Sequence, residues 1–166
     1  MTFHLNPWFL VTLLGEPDLW LVIAVGLGVF SLVWRRLRPN HRLHVVLEVL
    51  ILSLLIVLGI VFATKQVTQI DRPCGPENPY CLEDSSFPSG HAASIFAAFT
   101  VLLAFLPRRW LPLLAVPLLV AASRVALGVH TWLDVAAGAV LGILVALGVI
   151  ASFRKAGRLQ KWPWER

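Results

Sequence analysis

The sequence predicts an all-α fold: an integral membrane helical bundle of about five transmembrane helices, preceded by a short N-terminal interfacial helix. Three observations carry this reading. Hydrophobic residues make up 58% of the chain and charged residues 14%, well away from the roughly 45–50% and 25% of an average soluble domain. The apolar residues gather into five long runs, and the basic residues cluster between alternate runs. At 166 residues the chain is long enough for one domain and too short for two comfortable ones, so residues 1–166 are read as a single unit.

Taken in order, residues 6–14 carry Trp8 and Phe9 and are too few to cross a bilayer, which suits a helix lying in the interface. No basic region precedes the first apolar run and no small-residue cleavage site follows it, so the first span is expected to remain in the protein. The expected spans are 19–34, 45–63, 92–106, 111–127 and 135–153. A crossing needs about 20 residues, so the first and third are short unless their flanks extend them. Gly26, Gly28, Pro117, Gly138 and Gly142 fall inside spans, where membranes tolerate them. Gly138 and Gly142 form a small-xxx-small pair, read as close helix packing.

Topology follows from the cations, which are retained on the cytoplasmic side. Arg35, Arg36, Arg38 and Arg42 lie between spans one and two, and Arg108 and Arg109 between three and four. Arg154, Lys155, Arg158, Lys161 and Arg166 follow span five. The N-terminus, residues 64–91 and the turn around His130 are therefore expected outside and the C-terminus in the cytoplasm, in the plasma (inner) membrane of a prokaryote. Of fourteen Lys and Arg residues, only Lys65, Arg72 and Arg124 remain for the outer face. They stand among Glu16, Asp18, Asp71, Glu77, Glu83, Asp84 and Asp134. The net charge of +5 does not indicate nucleic acid, because the basic residues hug span ends and belong to no reading module. Cys74 and Cys81, the two cysteines, share the longest outer loop. A disulfide there would restrain the chain beside Arg72, the alternatives being free thiols or a metal site.

Three stretches hold nearly all the outer-face groups able to do chemistry. Any one of Lys65, Arg72 and Arg124 alone would read as a cation snorkelling to headgroups. Together they suit a phosphate: Arg offers a planar fork and Lys a point charge to neutralise it and its transition state. Pro88-Ser89-Gly90-His91 stands where a loop enters span three. Ser89 there is placed to cap the helix, and the unpaired N–H groups of a helix start form an anion site. His91 adds a group that titrates near neutral pH. His130 and Asp134 are four apart, so a helical turn would set the carboxylate under the imidazole, fix its tautomer and free the other nitrogen to attack phosphorus. A cap, or metal ligation together with His91, is the alternative, and three neighbouring cations oppose a divalent ion.

Lys-x6-Arg-Pro (Lys65, Arg72, Pro73), Pro-Ser-Gly-His (Pro88 to His91) and Ser-Arg-x5-His-x3-Asp (Ser123, Arg124, His130, Asp134) resemble the three-part signature of the type 2 phosphatidic acid phosphatase superfamily. The resemblance covers residues 65–134, and the flanking helices agree in number with its smaller bacterial lipid phosphatases. It implies His130 as a nucleophile forming a phosphohistidine, Asp134 as its orienting partner and His91 as the acid on the leaving group. Lys65, Arg72, Ser89, Gly90 and Arg124 would hold the phosphate, with neither cofactor nor metal. The implied substrate is a lipid phosphate or diphosphate: phosphatidic acid, phosphatidylglycerol phosphate, a polyprenyl diphosphate or lipid A. Transfer of the phosphoryl group to a second lipid is an alternative, and so is non-enzymatic binding or transport of a lipid phosphate.

Overall fold

Every regular element among the described residues is a helix. The computed structural model describes residues 7–37 and 41–159, without the side chains of 34–42. Arg38, Lys161 and Arg166 of the predicted inner charge set, and residue 6 of the predicted interfacial segment, lie outside the described residues. In chain order the elements are α1 (Pro7–Leu13), α2 (Pro17–Leu37), α3 (His41–Thr68), α4 (Gly90–Phe105), a 3-10 segment (Arg108–Leu114), α5 (Ala115–Ala126) and α6 (Trp132–Lys155).

Among the described residues, four stretches are long and apolar enough to cross a membrane: Pro7–Val33, Leu43–Thr68, Arg108–Ala126 and Trp132–Lys155. The remaining helix, α4, has 16 residues, about 24 Å at 1.5 Å per residue, against a hydrocarbon core of about 30 Å. Position explains how so short a helix is accommodated. Ala92, Ala93, Ile95, Ala97, Ala98 and Val101 on α4 are fully buried, and α4 packs against α3, α5 and α6. An apolar helix enclosed by others in this way has little surface left to match to lipid.

One boundary differs from the sequence reading for a physical reason. The fourth expected span is a 3-10 segment containing Pro112 followed by α5. Proline in a helix interior removes a hydrogen bond and clashes with the preceding turn, whereas Pro117 sits in the first turn of α5, where its missing N–H goes unused. The helix at the N-terminus is part of the packed bundle. It docks against α5, and its Thr12 is buried.

Without a hydrophobic drive between helices in lipid, close packing and polar contacts decide which faces meet. Gly138 and Gly142 put the backbone of α6 against that of α4. A Cβ at Gly138 would stand 2.4 Å from the Ser89 carbonyl oxygen, and one at Gly142 2.3 Å from that of Ala93. The core joins Ala24 of α2, Val49, Leu54 and Val57 of α3, Ala97 and Val101 of α4, and Ala146 and Ile150 of α6. At the bundle end away from the predicted site, Arg158 pairs with Glu48 and lies 4.9 Å over the Phe153 ring.

Candidate active site

Four helix termini meet at the other end of the bundle. Helix α3 carries Lys65 in its last turn, α4 begins at Gly90, α5 carries Arg124 in its last turn, and α6 begins just after His130. Local sequence sets each terminus. The Ser89 hydroxyl caps α4 by accepting from the Ala92 N–H at 3.4 Å. Gly128, at φ 71°, takes the left-handed conformation that ends α5 and turns the chain toward α6. Thr131 and Asp134 then form a reciprocal capping box: the Asp134 N–H donates to Thr131 Oγ1 at 3.2 Å, and the Thr131 N–H to Asp134 Oδ2 at 2.8 Å. The Ser89 N–H donates to the Asp134 carbonyl oxygen at 3.0 Å, tying the start of α4 to the start of α6.

His130 is 3% exposed and Asp134 4%. Arg72 Nη1 lies 3.1 Å from His130 Nε2 and also donates to the Val129 carbonyl oxygen at 3.2 Å. A guanidinium only donates, so Nε2 must carry the lone pair and the ring proton belongs on Nδ1. His130 Nδ1 faces Asp134 Oδ2 at 3.6 Å and has no hydrogen-bond partner. Burial, and then the positive charges of Arg72, Arg124 and Lys65, push the His130 pKa down to about 2, leaving the imidazole neutral.

The cations surround this ring. The Asp84 carboxylate joins two of them, accepting from Lys65 Nζ and from the Arg72 fork, with Arg72 Nε to Oδ1 at 3.2 Å. Burial raises the Asp84 pKa, but the hydrogen bonds from Lys65 and Arg72 outweigh it and hold the carboxyl below its ordinary range. Arg124 is 4% exposed and donates from Nη1 to Thr12 Oγ1 at 2.8 Å, while its buried Nε makes no hydrogen bond. His91, 7% exposed, has its Nε2 2.9 Å from Glu16 Oε2. Cys74 and Cys81 are joined as a disulfide with Cα atoms 5.9 Å apart. Within their loop, Asn78 Nδ2 donates to the Leu127 carbonyl oxygen at 2.9 Å, and Tyr80 stacks on Phe9 with centroids 5.1 Å apart.

The structure thus brings Lys65, Arg72, Ser89, Gly90, His91, Arg124, His130 and Asp134 to one end of the bundle. Two details differ from expectation. His130 precedes the cap of α6 instead of lying within a helical turn, so Asp134 reaches it from the third helical position. The nearer Asp134 oxygen is engaged by the Thr131 N–H, which leaves the contact to the imidazole at 3.6 Å. Glu16, Asp84 and Thr12 were not singled out from the sequence. No spacing marks them, because each reaches its partner through tertiary packing: Glu16 to His91 across 75 residues, Thr12 to Arg124 across 112.

Among the described residues, no three His, Cys, Asp or Glu side chains gather as a metal site. The family model of the PAP2 superfamily matches residues 45–158. The chain is 34% identical over 131 residues to the bacitracin transport permease protein BcrC of Bacillus licheniformis, covering 76% of this chain and 63% of that protein. It is 39% identical over 100 residues to an undecaprenyl-diphosphatase of Sulfolobus acidocaldarius, covering 56% of this chain and 48% of that one. The chain therefore spans less than two thirds of either curated relative. The crystal structure of a transmembrane PAP2-type phosphatidylglycerolphosphate phosphatase from Bacillus subtilis superposes with a TM-score of 0.66 at 25% identity, over 95% of this chain and 82% of that one. With its apolar helices, its matched region and this structural neighbour, the chain is an integral membrane protein that belongs to the PAP2 superfamily.

Proposed function

We propose that the protein is a lipid phosphate phosphohydrolase that works through a phosphohistidine at His130. The observation that carries the reading is the 3.1 Å contact from Arg72 Nη1 to His130 Nε2. It puts the nucleophilic lone pair and a phosphate-binding donor at the same point of a buried, cation-rich pocket. Lys65, Arg72, the unpaired Nε of Arg124 and the Gly90 N–H at the start of α4 receive the phosphate oxygens.

In the first step Nε2 attacks phosphorus, forming the P–N bond as the P–O bond to the lipid breaks, and His91 protonates the departing oxygen. Asp134 stabilises the positive charge that develops on His130. Water then attacks phosphorus, the P–N bond breaks, and its proton returns to His91, releasing inorganic phosphate. The three cations perform the charge neutralisation a metal would supply, so the reaction is metal-independent in this reading. The relatives named for undecaprenyl diphosphate and phosphatidylglycerolphosphate favour a polyprenyl diphosphate or a small phospholipid as substrate. The charge distribution supports a site on the extracytoplasmic side.

The test is phosphate release by purified protein in detergent from a panel of lipid phosphates, with ³²P trapping of the enzyme. His130→Ala should abolish both release and labelling in a protein that remains folded, and chelation with EDTA should leave the wild type active. Undiminished release by His130→Ala would refute the mechanism and favour a lipid-phosphate binder or transporter.

A further inference from the structure

The catalytic scheme leaves Glu16 unused, although it lies at the site. It stands in the turn between α1 and α2, and that turn is seated on the start of α4 and on α5 by several contacts. Ser94 Oγ donates to the Gly15 carbonyl oxygen at 3.1 Å, and Thr12 accepts from Arg124 at 2.8 Å. Gly15 itself packs so closely that a Cβ there would lie 2.4 Å from Val120 Cγ1 and 3.4 Å from His91 Cβ. The Gly90 backbone is in ordinary contact with the same turn, an ideal Cβ there falling 3.5 Å from Pro17 Cγ. The turn is a fixed platform, and the side chain it offers to His91 is a carboxylate, 2.9 Å from Nε2.

We infer that Glu16 is the positioning residue of His91, holding the Nε2–H and leaving Nδ1 as the nitrogen that exchanges a proton with the leaving group and with water. A carboxylate takes a hydrogen bond only from a protonated nitrogen, so the contact assigns the Nε2–H form to the neutral ring. The second proton of the imidazolium must then sit on Nδ1, the one nitrogen free to face the phosphate. An acid on one side of the reaction and a nucleophile on the other would each be steered by a carboxylate, Glu16 for His91 and Asp134 for His130. The charged groups acting on His91 are Glu16, Arg124 and Arg72, and Glu16 is the one that favours the imidazolium.

This inference rests on His91 being the acid, and the experiment separates the two ideas. Wild type, Glu16→Gln, Glu16→Asp and His91→Ala are purified in detergent and assayed on phosphatidic acid, whose alkoxide needs a proton to leave, and on p-nitrophenyl phosphate, whose phenolate does not. Glu16→Gln, which keeps the side-chain shape, should lower kcat on phosphatidic acid about tenfold or more and change p-nitrophenyl phosphate turnover by less than about threefold. Glu16→Asp, which retains the charge on a shorter arm, should fall between the two. Proportional losses on both substrates, or no loss on either, would overturn the assignment of Glu16. If His91→Ala shows no such split, His91 is not the acid and both ideas fall. If His91→Ala splits the substrates and Glu16→Gln does not, the role of Glu16 alone is lost.

Discussion

Replacing Gly138 with alanine adds one methyl group at the seam between α6 and α4, and the structure says what it meets. Its carbon would lie 2.4 Å from the Ser89 carbonyl oxygen, 3.2 Å from Ala92 Cβ and 3.3 Å from the Ala93 nitrogen. The first of these is backbone, so no side chain can swing aside. To reach even a 3.0 Å contact the start of α4 must move away by about 0.6 Å, and a comfortable separation needs about 1 Å. Ser89 and His91 sit on that turn, and the Ser89 N–H is bonded to Asp134, so the shift acts across the proposed phosphate site. Overpacking of this kind costs about 1–3 kcal/mol, partly offset by the roughly 1 kcal/mol advantage of alanine over glycine in a helix. Stability should therefore fall by no more than about 2 kcal/mol, while a displacement near 1 Å among catalytic groups lowers kcat by about a hundredfold. Thermal unfolding in detergent and phosphate release from phosphatidic acid measure the two effects. Gly148→Ala is the control, since a Cβ there meets nothing within 4 Å, and it should leave activity unchanged. Full activity in Gly138→Ala would refute the claim that this seam sets the geometry of the site.

Three further outcomes are expected. Asp84→Asn removes the carboxylate that engages Lys65 and Arg72, so vanadate, which imitates five-coordinate phosphorus, should inhibit about threefold to tenfold more strongly. Weaker inhibition would mean that Asp84 organises the cations rather than competing for them. With its folded pKa pushed down to about 2, His130 stays neutral in the native site while it protonates on unfolding near the ordinary imidazole value. It contributes no pH dependence above about 6.5 and lowers stability progressively as pH falls from there toward 2, because the unfolded chain binds the extra proton. A His130→Asn variant should lose stability less steeply on acidification, as read by melting temperature between pH 7 and pH 4, and an equal slope would contradict the assignment. Replacing Cys74 and Cys81 together with serine releases the closure of a short loop, worth about 2–3 kcal/mol in the chain-entropy account. It should lower the melting temperature in oxidising buffer to that of the dithiothreitol-treated wild type, and an unchanged melting temperature would show that the bridge adds nothing.

Much of the helical plan was legible because a membrane leaves few options: apolar runs separated by clusters of arginine specify spans, and α3 and α6 follow theirs closely. The departures come from residues whose effect depends on position. Pro112 converts the start of the fourth expected span into 3-10 geometry, whereas Pro117 passes unnoticed in a first turn. Helix α4 is shorter than a span requires, and only its enclosure by other helices accounts for that, which composition does not reveal. In the site, the three motifs announce themselves through residue types at fixed offsets. Glu16, Thr12 and Asp84 do not, because a carboxylate or hydroxyl beside a turn has many local roles, and the contacts that give these three a purpose form only when α1, the α1–α2 turn and the disulfide loop dock.

The balance of charge in the pocket then constrains how substrate enters it. Lys65, Arg72 and Arg124 are matched by Glu16, Asp84 and Asp134, so the site without substrate is already compensated. A phosphate carrying nearly two negative charges adds to that count and gains most if one carboxylate withdraws from the cations. Asp134 is fixed by the capping box of α6, and Glu16 is held against His91 on a turn packed between helices. Asp84 stands on a loop, is held by no cap or packed turn, and alone of the three engages both Lys65 and Arg72. On the proposed mechanism it is the carboxylate an incoming phosphate would displace, and the energy of breaking its two ion pairs would be subtracted from substrate binding. The loop that carries Asp84 is closed by Cys74–Cys81 and anchored by Asn78 to Leu127. In that scheme the covalent restraint outside the site would act on affinity inside it, through the distance Asp84 must retreat.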